Sequence, residues 1–272
     1  IYNEYMELGL RYPPTFTQVS TTEEATQVLR STVIDLVICM PGNADNDAFD
    51  VARDIKGKFP NIHCVVLTPF SHGITKRMQN EDLSIFDYVF CWLGNTNLIL
   101  SIIKLIEDKM NLEHDIREAG VQMILLVEDS IRFYSSILPN LYNYILEQSK
   151  NFSKEALNRH AATMRMRGRP KVVLARTYEE AKKLYDKYSN NTLGVISDAR
   201  FPLKSAAKAF GNEVEQEVKP EYGTDTFGRE KCPDAGLQLF RYIRKNDSFV
   251  PLSSRVLRVI TVPRQKQKAS AL

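Results

Sequence analysis

The sequence predicts an α/β protein built from two doubly wound parallel sheets. Short apolar runs alternate with helical segments along the 272 residues, which is typical of consecutive βαβ units. Two of the runs, residues 124–127 and 193–197, stop directly at carboxylates. Apolar runs this short and unbroken fit strands that are buried on both faces of a parallel sheet.

The acidic residues at the two strand ends predict a metal site. Glu128 and Asp129 follow the first run, and Asp198 follows the second. Open α/β sheets bind ligands at the carboxyl ends of their strands, so neighbouring strands would bring the three acids to one rim. They would repel one another unless a hard cation such as Mg²⁺ lay between them. Two alternatives stay open: Asp129 as a helix cap, and Asp198 as the start of a turn.

Composition indicates a cytoplasmic globular protein of about two domains. Hydrophobic residues make up 43% and charged residues 25% of the chain. No signal-peptide pattern is found, but the sequence opens at Ile1 without Met, and we expect the true amino terminus to be missing. No apolar run reaches the roughly 18 residues of a membrane span. The net charge of +3 is too small to argue for nucleic acid. The four cysteines form no C-x-x-C pair, so a zinc site is unsupported.

We expect three parts: a first domain over residues 1–106 that lacks its first strand, a helical connector over 107–120, and a second domain over 121–272. Strands are expected at 15–19, 34–40, 63–68, 88–92 and 171–175, besides the two acidic ones. The connector ends a long helix that Gly120 stops, and its last turns are predicted to protrude or to pair with another chain.

The second domain is predicted to carry two unusual segments and to stop after a fourth strand that begins at Pro251 and Leu252. A long helical segment follows the first strand, with Ser153 expected to cap its second helix. Three arginines come next, Arg165, Arg167 and Arg169; we interpret them as a solvated basic turn, with phosphate or RNA binding as the alternative. An insertion over 200–233 then follows Asp198 and is expected to be a lid or to be disordered.

At its two acidic strand ends the second domain resembles a receiver domain of bacterial two-component response regulators, which have the flavodoxin-like fold of the chemotaxis regulator. The long helical segment and the insertion depart from that family, whose members have one short helix and a few residues in these places. In that family an acidic pair ends the first strand, as Glu128 and Asp129 do here. The phospho-accepting Asp ends the third strand, and the run from Asp198 to Pro202 resembles the family's Asp-x-x-x-Pro loop. The resemblance implies Mg²⁺ on Glu128, Asp129, Asp198 and the carbonyl of Arg200, with Asp198 as phospho-acceptor and Ser253 as a candidate switch hydroxyl.

The first domain resembles a degenerate receiver, a pseudo-receiver. Met40 stands where the phospho-acceptor belongs, and a thioether has no nucleophilic oxygen. Thr68 fits the switch hydroxyl, whereas Cys91 or Trp92 replaces the family's lysine. This half is therefore expected to be chemically inert, and an unrelated doubly wound domain is the alternative.

The resemblance implies a phosphorelay signal-transduction module and not a stand-alone enzyme. Its donor would be a histidine kinase or a phosphotransfer protein, and its output domain would be attached or a partner, with no nucleic-acid or membrane partner. The arrangement also resembles amino-terminal extensions of phosphoenolpyruvate-synthase-like proteins. A non-catalytic scaffold of degenerate receivers that regulates an attached enzyme is the alternative. A haloacid-dehalogenase-type phosphotransferase is disfavoured because Asp198-Ala199-Arg200 lacks that family's Asp-x-Asp.

The tail over residues 253–272 has an unusual composition. It carries five basic residues and no acid, and it lacks strand or helix periodicity. We expect this tail to be read out of frame, because the same bases in a shifted frame can encode the rest of a fourth strand and an Ala/Glu-rich helix. The expected consequence is a second domain that lacks its fifth strand and last helix and leaves apolar surface exposed.

Overall fold

The computed structural model describes residues 2–8, 10, 12–40, 48–69, 83, 85–204, 224–225 and 229–254. These residues form an α/β structure with one three-stranded and one four-stranded parallel sheet, both packed against helices. The predicted α/β class and the parallel sheets are confirmed. The tail after Ser254 and most of the predicted insertion lie outside the described residues.

The first sheet has three parallel strands in the order β1-β2-β3. They are β1 (Leu36–Cys39), β2 (His63–Pro69) and β3 (Tyr88–Trp92), with helices α1 (Tyr2–Glu7), α2 (Thr22–Ser31) and α3 (Ala48–Lys58). The strand predicted at residues 15–19 is wrong, because this segment has no regular structure. All five of its side chains are exposed, so no burial offsets the cost of ordering a strand there.

Helix α4 (Asn97–Ala119) connects the two halves and ends where the sequence predicts. Gly120 adopts the left-handed conformation at φ 61°, and its N–H donates to the carbonyl of Ile116 at 3.0 Å. The expectation that the last turns protrude is wrong, since Asp108 and Leu112 are buried. Leu112 packs into the core of the second sheet, so these turns are part of the second half.

The second sheet has the order β5-β4-β6-β9, with all neighbours parallel. Its strands are β4 (Met123–Val127), β5 (Lys171–Ala175), β6 (Thr192–Ser197) and β9 (Leu252–Ser254), and its helices are α5 (Ile131–Lys154), α6 (Arg159–Arg167), α7 (Tyr178–Tyr188) and α8 (Ala235–Asn246). Because β4 lies between β5 and β6, the ends of all three strands meet at one rim. The strand predicted at Leu252 does form.

Two short strands of the predicted insertion form an antiparallel ribbon. β7 (Phe201–Pro202) pairs with β8 (Lys231–Cys232). Phe201 is fully buried in the core of the second sheet, which fixes the ribbon to the domain.

The second helix of the long helical segment begins later than predicted. Ser153 lies within α5, where its hydroxyl donates to the carbonyl of Lys150 at 2.7 Å, so the predicted cap at this residue is wrong. Asn158 caps α6 instead, and its side chain accepts a hydrogen bond from the N–H of Ala161 at 2.8 Å.

A buried ion pair joins α4 to the start of β5. Arg169 donates to both carboxylate oxygens of Asp108, at 2.7 and 3.1 Å. Tyr142 on α5 and the N–H of Val172 donate to the same carboxylate at 3.0 and 2.9 Å. Arg169 is therefore not part of a solvated turn, and that prediction is wrong for this residue. Burial with a bidentate partner is the usual way to accommodate a guanidinium in a core.

One hydrophobic cluster extends across both sheets. It contains side chains of β2, β3 and α4, the buried face of α5, and Leu126, Val172 and Leu174 from one face of the second sheet. The opposite face of that sheet packs against α7 and α8 in a second cluster. Helices α4 and α5 thus hold the two sheets together through a common core.

Among the helices that the structure describes, none combines the length and the apolar character that crossing a bilayer requires.

Candidate metal centre

The three predicted acids meet at the carboxyl ends of β4 and β6. Val127, the last residue of β4, is in register with Ser197, the last residue of β6. Glu128, Asp129 and Asp198 follow these residues, and each offers one carboxylate oxygen within 4.8 Å of the others. The predicted convergence is confirmed, and the acidic triad can hold a metal ion. That the ion is Mg²⁺ stays a prediction.

Backbone hydrogen bonds fix the triad to the sheet. The N–H of Asp198 donates to the carbonyl of Val127 at 2.8 Å, and the N–H of Glu128 donates to the carbonyl of Ala175 at 3.0 Å. The N–H of Gly236 in the first turn of α8 donates to the carbonyl of Ala199 at 3.1 Å. The loop after β6 is therefore held between β4 and α8, and the position of Asp198 does not depend on its side chain alone.

The triad is mostly withdrawn from water. Glu128 is 2% and Asp129 0% exposed, whereas Asp198 is half-buried. Burial and the neighbouring charge of Asp198 raise the pKa of Glu128 to about 8. Burial also raises the pKa of Asp129 to about 6, although Lys231 acts in the opposite direction. These raised pKa values mean that ionising all three carboxylates is unfavourable in free energy unless a cation compensates their charge.

Asp129 combines an ion pair with a lysine and two buried oxygens that lack hydrogen bonds to the described residues. Its Oδ2 forms an ion pair with Nζ of Lys231 at 2.6 Å, and neither of its two buried oxygens has a hydrogen-bond partner among the described residues. The alternative of a helix cap is wrong, because Ser130 is the N-cap of α5 and no side-chain hydrogen bond is made there. An orphaned, fully buried carboxylate oxygen is a reason to expect a bound ion.

The triad fits a hard divalent cation. All three donors are carboxylate oxygens with no nitrogen or sulfur among them, as Mg²⁺ and Ca²⁺ prefer. Elsewhere in the described ranges, no other group of three or more His, Cys, Asp or Glu side chains is arranged to bind a metal.

For two of the predicted site residues, Arg200 and Ser253, the structure gives weaker support. Arg200 is exposed, and its N–H lies 3.4 Å from Oδ2 of Asp198, a long contact of the kind that an Asp-initiated turn makes. Its carbonyl as a metal ligand stays a prediction. Ser253 is in register with Ile196, whereas Ser254 is in register with Ser197. By register, Ser254 is the hydroxyl residue level with the strand end, and sequence reasoning missed it.

The insertion contributes residues to the site that the sequence did not reveal. Lys231 on β8 carries the ion pair to Asp129, and the same segment contains a buried pair in which Arg229 Nε lies 2.7 Å from Asp225 Oδ2. The charge of Asp225 adds to the upward shift in the pKa of Asp129, so this pair also acts on the triad. The only signal in the sequence was that the insertion follows Asp198.

The first sheet places the residues of the pseudo-receiver prediction at its strand ends. Met40 follows β1 and is exposed, and Thr68 is buried in register with Cys91. Trp92 ends β3 and is partly exposed. No acidic triad occurs in the described part of this half.

Comparison with known proteins found no family model that matches the chain, no similar curated protein and no similar solved structure. The two parallel sheets are consistent with doubly wound domains, and the triad of Glu128, Asp129 and Asp198 is the candidate functional feature of the described structure.

Proposed function

We propose that the chain is a regulatory module that accepts a phosphoryl group on Asp198 with the help of Mg²⁺. The observation that carries this proposal is the division of the triad into two buried carboxylates and one accessible carboxylate. Glu128 and Asp129 are withdrawn from solvent and suited to hold a cation. Asp198 is half-buried beside them and can be reached by a donor.

The transfer would proceed by attack of an Asp198 carboxylate oxygen on the phosphorus of a phosphohistidine donor. The new O–P bond forms as the P–N bond breaks, and the imidazole nitrogen keeps the electron pair. Bound Mg²⁺ would screen the negative charges of the two reacting groups. Glu128 and Asp129 would hold the ion, and the hydrogen bond from the Asp198 N–H to the carbonyl of Val127 keeps the acceptor beside them.

The partners of this reaction are a histidine kinase or phosphotransfer protein as donor and an output domain as receiver of the signal. The hydroxyl residue at the end of β9 is the candidate for sensing the phosphoryl group. Register favours Ser254 over Ser253 for this role, since Ser254 is level with Ser197. The chain would regulate its output and would not itself be an enzyme.

Acetyl phosphate and Mg²⁺ applied to the whole chain test the proposal. Intact-mass measurement should show one added phosphoryl group on the wild type and none on Asp198→Asn. Asp54→Asn, on the exposed face of α3, is the matched control and should be modified like the wild type. Asp198→Asn also tests the first half, because phosphorylation of that variant would contradict an inert pseudo-receiver with Met40 at its acceptor position. An unmodified wild type at saturating Mg²⁺ would overturn the proposal.

A second candidate function is a metal-free interaction module, a scaffold that regulates an attached enzyme. The ion pair between Lys231 and Asp129 favours it, because an internal cation already offsets part of the charge of the triad. Isothermal titration of the chain with Mg²⁺ separates the two functions. Heat of binding that is lost in Asp129→Asn supports the phosphorylation module, and the absence of binding in the wild type supports the scaffold.

A further inference from the structure

We propose that Lys231 is a component of the cation site and determines the charge of the cation that the site accepts. The proposal rests on the proposed function in one respect: it requires a metal at the triad. It adds a residue from the insertion to the site and a criterion by which the site selects its ion.

The ion pair with Asp129 occupies Oδ2 and leaves Oδ1 available to a metal ion. Nζ of Lys231 lies 2.6 Å from Oδ2 in an ion pair, and neither buried oxygen of Asp129 has a hydrogen-bond partner among the described residues, so Oδ1 is engaged by neither kind of contact. One carboxylate can therefore contact the ammonium and the metal ion through different oxygens. Because Asp129 is fully buried and the Lys231 side chain is only 21% exposed, water screens the lysine charge poorly at this position.

The antiparallel ribbon of β7 and β8 fixes the position of Lys231. Lys231 is in register with Pro202 on β7, and the neighbouring Phe201 is anchored in the core. Just before it, Arg229 is engaged with Asp225 through Nε and Nη2, at 2.7 and 2.6 Å from Oδ2. Lys231 is thus the basic residue of this ribbon that faces the triad.

The charges of the three carboxylates and of Lys231 explain why the site would prefer a divalent cation to a trivalent one. Carboxylates that bind a metal are ionised, so Glu128, Asp129 and Asp198 bring three negative charges to the occupied site. Lys231 offsets one of them, and the remaining two match a divalent cation. Without the lysine, the three charges would match a trivalent cation. The repulsion between the ammonium and the ion is proportional to the charge of the ion, so the lysine disfavours a trivalent ion more strongly.

Calorimetric titration of the whole chain with Mg²⁺ and with Tb³⁺ tests this inference. Lys231→Met should bind both ions more tightly, Mg²⁺ on the order of tenfold and Tb³⁺ on the order of thirtyfold, because the same repulsion scales with ion charges of two and three. Lys231→Gln removes the charge but keeps a hydrogen-bond donor, and it should shift the preference in the same direction. Lys231→Arg keeps the charge and should leave the preference unchanged, as should Lys204→Met at an exposed lysine of the same insertion.

The outcomes separate this inference from the proposed function. If the lysine only orients Asp129, Lys231→Met and Lys231→Gln will bind both ions more weakly by equal factors, which overturns the inference. Wild-type binding of Mg²⁺ with an unchanged preference in both variants overturns it too, while the metal site stands. Failure of the wild type and of every variant to bind either ion overturns both proposals. Circular dichroism identifies an unfolded Met variant, and the Gln variant then decides.

Discussion

At the scale of single residues, the position of Asp198 depends on the absence of a side chain at Gly236. A Cβ built on this glycine would lie 2.3 Å from the carbonyl oxygen of Asp198 and 3.1 Å from Cα of Ala199. Both neighbours are backbone atoms, so they can make room only if the loop after β6 moves. Gly236 is thus a positioning residue for the triad, although it bears no functional group.

We expect Gly236→Ala to displace the Asp198 loop and to weaken binding of Mg²⁺ by at least tenfold. The second half should otherwise remain folded, because the rest of α8 packs through Leu239 and Ile243. Calorimetric titration measures the loss, and circular dichroism measures the fold. Gly57→Ala is the matched control, since no atom lies within 4 Å of its added Cβ and Ala is favoured in a helix. Unchanged Mg²⁺ binding in Gly236→Ala would show that the loop is not held as described.

The carboxylate of Asp87 is surrounded by hydrogen-bond donors in the first half of the chain. It lies beside Lys109 at 2.7 Å and His63 at 3.0 Å, and it accepts a hydrogen bond from the N–H of Cys64 at 2.9 Å. Burial alone would raise the pKa of this carboxyl, but the hydrogen bonds from Lys109, Cys64 and His63 outweigh burial and hold the pKa well below its usual range. A carboxyl with a lowered pKa stabilises the fold above its unfolded pKa, about 3.9.

The stabilisation by Asp87 should therefore be complete near neutral pH, begin to decrease as the pH falls below about 4, and be lost only as the pH falls through the lowered pKa of the folded state. The difference between the urea unfolding midpoints of the wild type and Asp87→Asn should stay constant from about pH 7 to about pH 5 and should become smaller between about pH 4 and about pH 3. Asp54→Asn, which removes an exposed pair with Lys58, should follow the wild type throughout. A difference between the wild type and Asp87→Asn that is constant across this range would contradict the assignment.

Site residues that are predictable from the sequence lie next to a local pattern, whereas the residues that are not predictable depend on partners far away in the chain. Glu128, Asp129 and Asp198 directly follow apolar runs, so the topology of a parallel sheet is enough to bring them together. Lys231 and Arg169 reach partners that are far away in sequence, and no local pattern marks a surface lysine or arginine as buried. Such pairings follow from tertiary packing and become visible only with the fold.

At the scale of elements, α5 connects the metal centre to the first sheet. The helix begins two residues after Asp129, and it packs against β3. Tyr134 donates to the carbonyl of Val89, and the hydroxyl of Ser135 accepts a hydrogen bond from the N–H of Cys91 at 3.0 Å. These bonds satisfy backbone groups of β3, which is an edge strand of its sheet. A change at the acidic rim thus has a short covalent and hydrogen-bonded path to the first sheet.

We expect Ser135→Ala to destabilise the protein by about 1–3 kcal/mol, because it leaves the buried N–H of Cys91 without a partner. The free energy of unfolding in urea measures the effect. Ser136→Ala at the next, exposed position of α5 is the control and should change it by less than about 0.5 kcal/mol. Equal stabilities of the two variants would mean that α5 does not satisfy the edge of β3.

Strands and helices differ in how far the sequence determined them. The sequence predicts β2, β3, β4, β5 and β6 correctly, because burial on both faces of a strand leaves an uninterrupted apolar pattern. Residues 15–19 had strand-like composition but no partner to complete a ladder. The end of α4 at Gly120 was recognised from the residue type, whereas the burial of Asp108 was not. A carboxylate in a helix is ordinarily interpreted as solvated unless its partner is known.

At the scale of the whole molecule, the two halves share one core and one buried ion pair. The larger hydrophobic cluster contains residues of both sheets, with α4 and α5 between them. Asp108 on α4 is held by Arg169 and Val172 from the second half and by Tyr142 from α5. The halves are therefore expected to unfold together, although the sequence suggested two domains with a connector.

Asp108→Asn tests this cooperativity, because it removes the charge partner of the buried Arg169 and should cost about 3–5 kcal/mol. Trp92, the single tryptophan of the chain, ends β3 and reports on the first sheet. Urea transitions followed by Trp92 fluorescence and by far-ultraviolet circular dichroism should coincide in the wild type and should shift together in the variant. Glu113→Gln, which removes an exposed ion pair with Lys187, should leave both transitions in place.

A dichroism transition that becomes biphasic while the Trp92 midpoint stays fixed would show two independent domains. In that case α5 would have to carry any signal from Asp198 to the first sheet without the support of a common core.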